Sequence, residues 1–147
     1  MDTQAFEVRR RGTLYAAVGL AAGALAVLFG MRAVDHREQW WLWGVVAALA
    51  VIAYLHLVAT LDARTPLFVA DNHGVRLREG NDWAGIMWSD MGEIRVERRE
   101  GWRHDPRIKV VSSDGSYVFT APLGIATTAS PAEAEVQLAS RRRSASY

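Results

Sequence analysis

Two long apolar stretches without a charged residue constrain this chain more than any other feature of its sequence. They run from Gly12 to Met31 and from Trp40 to Leu61, and neither contains Asp, Glu, Lys or Arg. A hydrocarbon layer about 30 Å thick is crossed by roughly 20 helical residues that rise about 1.5 Å each. The rest of the chain is too short to bury two such helices in a soluble core. The sequence therefore predicts a transmembrane helical hairpin over residues 12–61.

The arginines around the two stretches predict the orientation of the hairpin. Three arginines precede the first stretch and three follow the second within about 20 residues, whereas the loop between them holds two. Because basic loops stay on the cytoplasmic side, this distribution predicts a multi-pass protein of the cell membrane with both termini in the cytoplasm. Trp40, Trp41 and Trp43 stand where an interfacial aromatic belt is expected.

Three residues of the hairpin are candidates for helix packing or function. Gly19 and Gly23 form a small-xxx-small pair, which lets two helix backbones approach closely. Their partner is either the second helix of the same hairpin or a helix of another chain. His56 is the one readily ionisable side chain within the stretches, and such residues are candidate haem ligands or proton relays. Its place about 7.5 Å from the helix end favours a hydrogen-bonded, interfacial histidine instead.

From Leu67 onwards the sequence changes to short apolar segments separated by turn residues, which is typical of antiparallel β-structure. Six strands are expected, one of them over Ile86-Met87-Trp88. The clearest hairpin has Asp114-Gly115 at its tip, where both positions accept a positive φ. Counting outwards from this two-residue loop predicts its cross-strand pairs. The pairs are Ser112 with Tyr117, Val110 with Phe119 and Ile108 with Ala121.

A helix is expected at the end of the chain. Ser130 supplies an N-cap, Pro131 suits the first helical position and Glu133 completes a capping box, so the helix should run to about Ser140. The expected organisation is then a cytoplasmic N-terminal segment, the hairpin, a cytoplasmic β-rich domain and a tail. Their bounds are residues 1–11, 12–61, 67–141 and 142–147.

Three segments of the β-rich domain carry a resemblance to a known family. They are Asn72-His73-Gly74-Val75-Arg76-Leu77-Arg78, Ile86-Met87-Trp88-Ser89-Asp90-Met91-Gly92-Glu93-Ile94, and the Asp114-Gly115 hairpin. With these segments, residues 42–125 resemble the small bacterial pleckstrin-homology-like (PH-like) domains that follow a two-helix membrane anchor, including low molecular weight protein antigen 6. The resemblance implies an α+β, mostly β fold: an antiparallel curved sheet of about seven strands closed by a C-terminal helix. Most members of that family lack an assigned activity.

No motif of the sequence points to catalysis. The chain has no cysteine, which excludes disulfides, thiolate metal sites and cysteine nucleophiles. Asp71, Asp90 and Asp114 fall at expected turns, where aspartates commonly cap their own backbone. Nucleophile elbows, paired-histidine metal motifs and phosphate loops are absent. We therefore expect no enzyme, no metal site and no cofactor, and the net charge of +1 argues against a nucleic-acid partner.

One segment combines five cations with a tryptophan and is the candidate binding surface. Near a cytoplasmic leaflet each cation attracts anionic headgroups by around 1 kcal/mol, although acidic neighbours oppose this attraction. Its residues are Arg98, Arg99, Trp102, Arg103, Arg107 and Lys109.

The expected partners are membrane lipids and other membrane or cytoplasmic proteins, including a second copy of the chain. Two functions fit these observations. The first is a non-enzymatic, membrane-anchored PH-like adaptor that docks a cytoplasmic protein or anionic lipid at the inner leaflet. The second is an accessory or assembly subunit of a larger integral membrane complex.

Overall fold

The computed structural model of the chain describes residues 5–98, 101 and 105–145. These residues divide into two compact units. One unit is Arg11–Arg64, and the other combines Met1–Arg10 with Thr65–Tyr147. The second unit is therefore formed by two chain segments, one that precedes the first unit and one that follows it.

The unit Arg11–Arg64 consists of two helices, α1 (Gly12–Asp35) and α2 (Trp41–Asp62). Both are long and apolar enough to cross a membrane, as predicted. Few of their residues are buried, so most of their apolar side chains face outwards. Such a surface suits surrounding lipid, because exposing it to water is unfavourable. Helix α1 extends four residues beyond the predicted Met31, which leaves a short connection between the helices.

The second unit contains seven strands and a C-terminal helix among the described residues. The helix is α3 (Pro131–Ala145). The strands are β1 (Phe6–Val8), β2 (Phe68–Ala70), β3 (Gly74–Glu79), β4 (Asp82–Met87), β5 (Met91–Glu97), β6 (Arg107–Ser112) and β7 (Val118–Pro122).

Strand β1 lies before the helices, where the sequence analysis placed no strand. It pairs antiparallel with β2, so that Phe6 lies opposite Ala70 and Val8 opposite Phe68. The Leu67 N–H donates to the Val8 carbonyl oxygen at 2.8 Å and extends this pairing. Val8 and Phe68 are fully buried, and this burial stabilises a strand of only three residues. The segments that precede α1 and follow α2 are therefore paired in one sheet.

The strands form two antiparallel sheets instead of the single curved sheet that the family resemblance implies. The first has the order β1-β2-β3-β4 and the second the order β5-β6-β7, and they are not joined into a closed barrel. Both sheets bury apolar side chains in one core, to which α3 adds Ala134 and Leu138. The core also includes Phe6, Val8, Phe68, Val75, Leu77, Ile108 and Val110.

The β6–β7 hairpin has the predicted register but a different turn. Val110 lies opposite Phe119 and Ile108 opposite Ala121. The turn is closed by the Gly115 N–H, which donates to the Ser112 carbonyl oxygen at 3.0 Å. Of the two tip residues only Gly115 has a positive φ, of 70°. Glycine adopts this conformation without the steric cost of a Cβ atom, so only one of the two tip positions uses the positive φ that the sequence allows at both.

Two other boundaries differ from the sequence-based expectation. Strand β4 begins at Asp82 and ends at Met87, whereas a strand was expected over Ile86-Met87-Trp88. Trp88 instead opens a short 3₁₀ turn, and its indole Nε1–H donates to the Asp71 carbonyl oxygen at 2.9 Å. Helix α3 has the predicted N-cap, since the Glu133 N–H donates to the Ser130 hydroxyl oxygen, but it continues past Ser140 to Ala145.

Candidate docking surface

The basic segment proposed from the sequence is partly outside the described residues. Arg99, Trp102 and Arg103 lie outside them, whereas Arg98, Arg107 and Lys109 are described. The Arg98 guanidinium donates to both carboxylate oxygens of Glu135 in α3, at 3.1 and 2.8 Å. This paired geometry lowers the pKa of Glu135.

The other two described cations of the segment share one acidic partner, Glu97. The Arg107 Nε–H donates to Glu97 at 2.6 Å, and the Lys109 ammonium lies 3.9 Å from the same carboxylate. Arg95 donates to it as well, at 2.9 Å. Hydrogen bonds from Arg107 and Arg95 lower the pKa of Glu97. The described cations of the segment therefore already have acidic partners on the protein.

The candidate packing residues of the hairpin are used within the hairpin itself. A Cβ atom added to Gly19 would lie 3.0 Å from Leu57 Cγ and 3.3 Å from the Ala53 carbonyl oxygen. A Cβ atom added to Gly23 would lie 3.9 Å from Ala53 Cβ. Of the two partners left open by the sequence, the structure thus provides α2.

His56 makes contacts inside the hairpin. Its Nδ1 lies 2.8 Å from the Ile52 carbonyl oxygen, a distance at which the ring N–H donates to that oxygen. The ring also lies against Tyr15 of α1, with 6.0 Å between ring centroids. These contacts agree with a hydrogen-bonded histidine that helps to hold α1 against α2.

Two turn aspartates bind their own backbone, as the sequence predicted. The Asp71 carboxylate accepts hydrogen bonds from the N–H groups of His73 and Gly74, and from Arg76 at 2.8 Å. Partial burial alone would raise the pKa of Asp71, but these hydrogen bonds outweigh it and lower the pKa. In the β6–β7 turn the Asp114 carboxylate accepts the Ser116 N–H at 3.0 Å. Among the described residues no group of three or more His, Asp and Glu side chains is arranged to hold a metal ion.

A groove runs between strand β4 and the β6–β7 hairpin. Its volume is about 470 Å³, within the range of about 300–1,000 Å³ that is typical of ligand sites. One wall is formed by Ala84–Met87, and the other includes Tyr117 and Phe119. These two aromatic rings are stacked, with centroids 6.1 Å apart and planes 7° apart.

Large apolar side chains are exposed around this groove. Met87 and Tyr117, which line it, are 64% and 63% exposed. Trp83, in the same strand as Met87, is 45% exposed. The sequence does not reveal this surface, because it depends on the gap between two sheets. The visible sequence signal was the uncharged run Trp83–Met87 within β4.

Comparison of the chain with protein-family models, with curated proteins and with solved structures gives no match.

Proposed function

We propose that this chain is a non-enzymatic, membrane-anchored PH-like module that docks a protein partner at the groove between β4 and the β6–β7 hairpin. The observation that carries the proposal is the groove itself, an open surface whose apolar part includes the exposed side chains of Met87 and Tyr117. Polar residues complete its lining: Asp90, Ser112, Ser113 and Asp114. Contiguous apolar surface of this kind on a folded domain marks an interaction site. The two apolar helices supply the anchor, and the arginine distribution favours a position at the cytoplasmic leaflet.

The class of domain is part of the proposal. Seven strands and a C-terminal helix among the described residues match the number of elements that the PH-like resemblance implies. Strand β1, which precedes the anchor, supplies the strand that completes this number. The division into two sheets differs from a closed barrel and creates the groove that the proposal uses.

A protein partner at the groove is favoured over an anionic lipid headgroup at the basic segment. Headgroup binding relies on cations that can approach the phosphates. Arg98 and Arg107 instead donate to Glu135 and Glu97, and Lys109 lies beside Glu97. The groove offers apolar side chains and strand backbone, which are the elements that bind extended protein segments.

The test is site-specific photo-crosslinking in cells that produce the full chain. A photo-reactive residue replaces Tyr117, which lines the groove, and in a matched control it replaces Val136 of α3, which is at least as exposed. We expect a discrete protein adduct from position 117 that is absent from position 136. Lipid adducts alone, or equal adducts from both positions, would contradict the proposal.

A further inference from the structure

The free edge of β4 is the starting point of a more specific inference about the docked partner. Two hydrogen bonds fix which residues of β3 face β2: the Arg78 N–H donates to the Leu67 carbonyl, and the Asp71 N–H donates to the Gly74 carbonyl. Neighbouring residues of a strand point their backbone N–H and C=O groups to opposite edges. The backbone groups of Val75 and Leu77 therefore face β4. They lie opposite Ile86 and Ala84, respectively.

The backbone groups of the intervening β4 residues must then point away from β3. These residues are Trp83, Gly85 and Met87, and among the described strands none pairs with this side of β4. Gly85 and Met87 of this edge also line the open groove.

Three other strand edges in the described sheets carry features that discourage pairing with another chain. Strand β1 has three residues, β5 carries alternating charges and an irregular register at Met91/Glu93, and β7 contains Pro122. Short edges, charges, bulges and prolines are the usual means of protecting a sheet edge. Strand β4 has none of these between Trp83 and Met87, and its pairing with β3 is regular over six residues.

The sequence of this edge is self-complementary. When two copies of β4 are placed antiparallel about Gly85, Gly85 lies opposite its own equivalent and Trp83 lies opposite Met87. The two large apolar side chains then meet on one face, where a thioether beside an aromatic ring is favourable. Asp82 comes opposite Trp88, so no two like charges are brought together.

We infer that the protein docked at this edge is a second copy of the chain, whose β4 pairs antiparallel with β4 about a two-fold axis at Gly85. The inference rests on the proposed function in that the groove must accept protein. An isologous contact of this kind forms about six backbone hydrogen bonds from the outward groups of Trp83, Gly85 and Met87. Anchoring both copies in one membrane raises their effective concentration and favours a contact of modest area.

Cysteine cross-linking of the full chain in liposomes tests the register directly, because the natural sequence contains no cysteine. Gly85→Cys is compatible with the fold, since a Cβ atom there meets Arg76 Cγ at 3.5 Å. Hydrogen-bonded residues of antiparallel strands have Cα atoms about 5.5 Å apart, within the range of about 4.4–6.8 Å for disulfides. We expect Gly85→Cys to form a disulfide-linked dimer under mild oxidation, well above the level of the exposed control Ser116→Cys.

Two further cysteine variants check the two-fold register. Trp83→Cys mixed with Met87→Cys should form a mixed dimer, whereas each variant alone should cross-link no better than Ser116→Cys. Cross-linking of Gly85→Cys at the control level would overturn the inference. Efficient self-cross-linking of Trp83→Cys would overturn this register.

A charge variant provides a second readout without cysteines. Gly85→Asp places two carboxylates across the axis, and like charges brought together at an interface should raise the dimer dissociation constant by about tenfold or more. Mass measurement in detergent across a concentration series reports this change, with Ser116→Asp as the control. An unchanged association would contradict the inference.

The photo-crosslinking experiment separates failure of the inference from failure of the proposed function. An adduct between position 117 and a second copy of the chain supports both. An adduct to a different protein supports the docking function and overturns self-pairing. The absence of any protein adduct removes the docking function itself.

Discussion

Asp114 is held as an anion by its neighbours in the β6–β7 turn. The hydroxyl groups of Ser112 and Ser116 and the Ser116 N–H donate to its carboxylate. These hydrogen bonds, the Ser112 hydroxyl first among them, lower the pKa of Asp114 from 3.8 to about 2. Because the ionised form accepts these bonds, the turn is best formed when Asp114 is charged.

The depressed pKa of Asp114 predicts how the turn responds to acid. A carboxyl group whose folded pKa is lowered stabilises the fold above its ordinary pKa of 3.8, and this contribution is lost as the pH falls towards 2. We expect carboxyl NMR titration of Asp114 to give a midpoint near pH 2. Ser112→Ala removes the largest cause and should move the midpoint up towards 3.8. An unchanged midpoint in that variant would show that the hydroxyl does not set the pKa.

Strand β1 shows why some elements were not predictable from the sequence. Its pattern is three residues long, Phe6-Glu7-Val8, and three arginines follow it, so it reads as the flank of a membrane helix. Its partner lies about 60 residues further along the chain, beyond two helices. By contrast, the β6–β7 register was predictable, because Gly115 fixes a local turn. Local geometry is readable from a sequence, whereas pairing across a long insertion depends on tertiary packing.

The candidate site also depends on contacts between distant parts of the chain. Arg98 of the basic segment pairs with Glu135, 37 residues away, and no sequence pattern predicts this ion pair. The groove depends on the separation of two sheets, which the resemblance to a closed PH-like fold did not indicate.

Truncation of β1 side chains should reveal its contribution to the sheet domain. Val8 is fully buried, so Val8→Ala removes apolar contacts and should lower the free energy of unfolding by about 2 kcal/mol. Glu7→Ala, on the other face of the strand, serves as the control and should change stability little. Thermal unfolding of the full chain in detergent measures the difference. Equal effects of the two variants would show that β1 is not packed into the core.

The packing of α1 against α2 gives a second prediction at this scale. Gly19→Leu should separate the helices, because a Cβ atom at this position already lies 3.0 Å from Leu57 Cγ. Gly30→Leu in the same helix is the matched control, since a Cβ atom at Gly30 meets nothing within 4 Å. We expect a lower melting temperature for the Gly19 variant alone. Similar melting temperatures would place the close helix contact elsewhere.

The molecule as a whole is organised around a sheet that the chain leaves and re-enters. The chain leaves the sheet after β1, passes through α1 and α2, and returns to the same sheet in β2. Paired strands must lie on the same side of any membrane that the helices cross. Any arrangement in which the helices span a membrane therefore has an even number of crossings, as the arginine distribution predicts.

Single-cysteine labelling tests this arrangement in the full chain. Ala5→Cys and Ser116→Cys should react with a membrane-impermeant maleimide from the same side, because β1 and the sheet domain belong to one unit. Arg37→Cys, in the connection between α1 and α2, should react from the opposite side. Reaction of Ala5→Cys and Ser116→Cys from opposite sides would contradict the pairing of β1 with β2.

The pairing of β1 with β2 also sets an order for biogenesis. At about 5–20 residues per second, the ribosome delivers Phe68 roughly 3–12 s after Val8. During that interval β1 has no partner strand, and the first sheet remains incomplete until both intervening helices have been synthesised. Completion of the sheet therefore requires that the chain after α2 lie on the same side as β1 of any membrane that the helices cross.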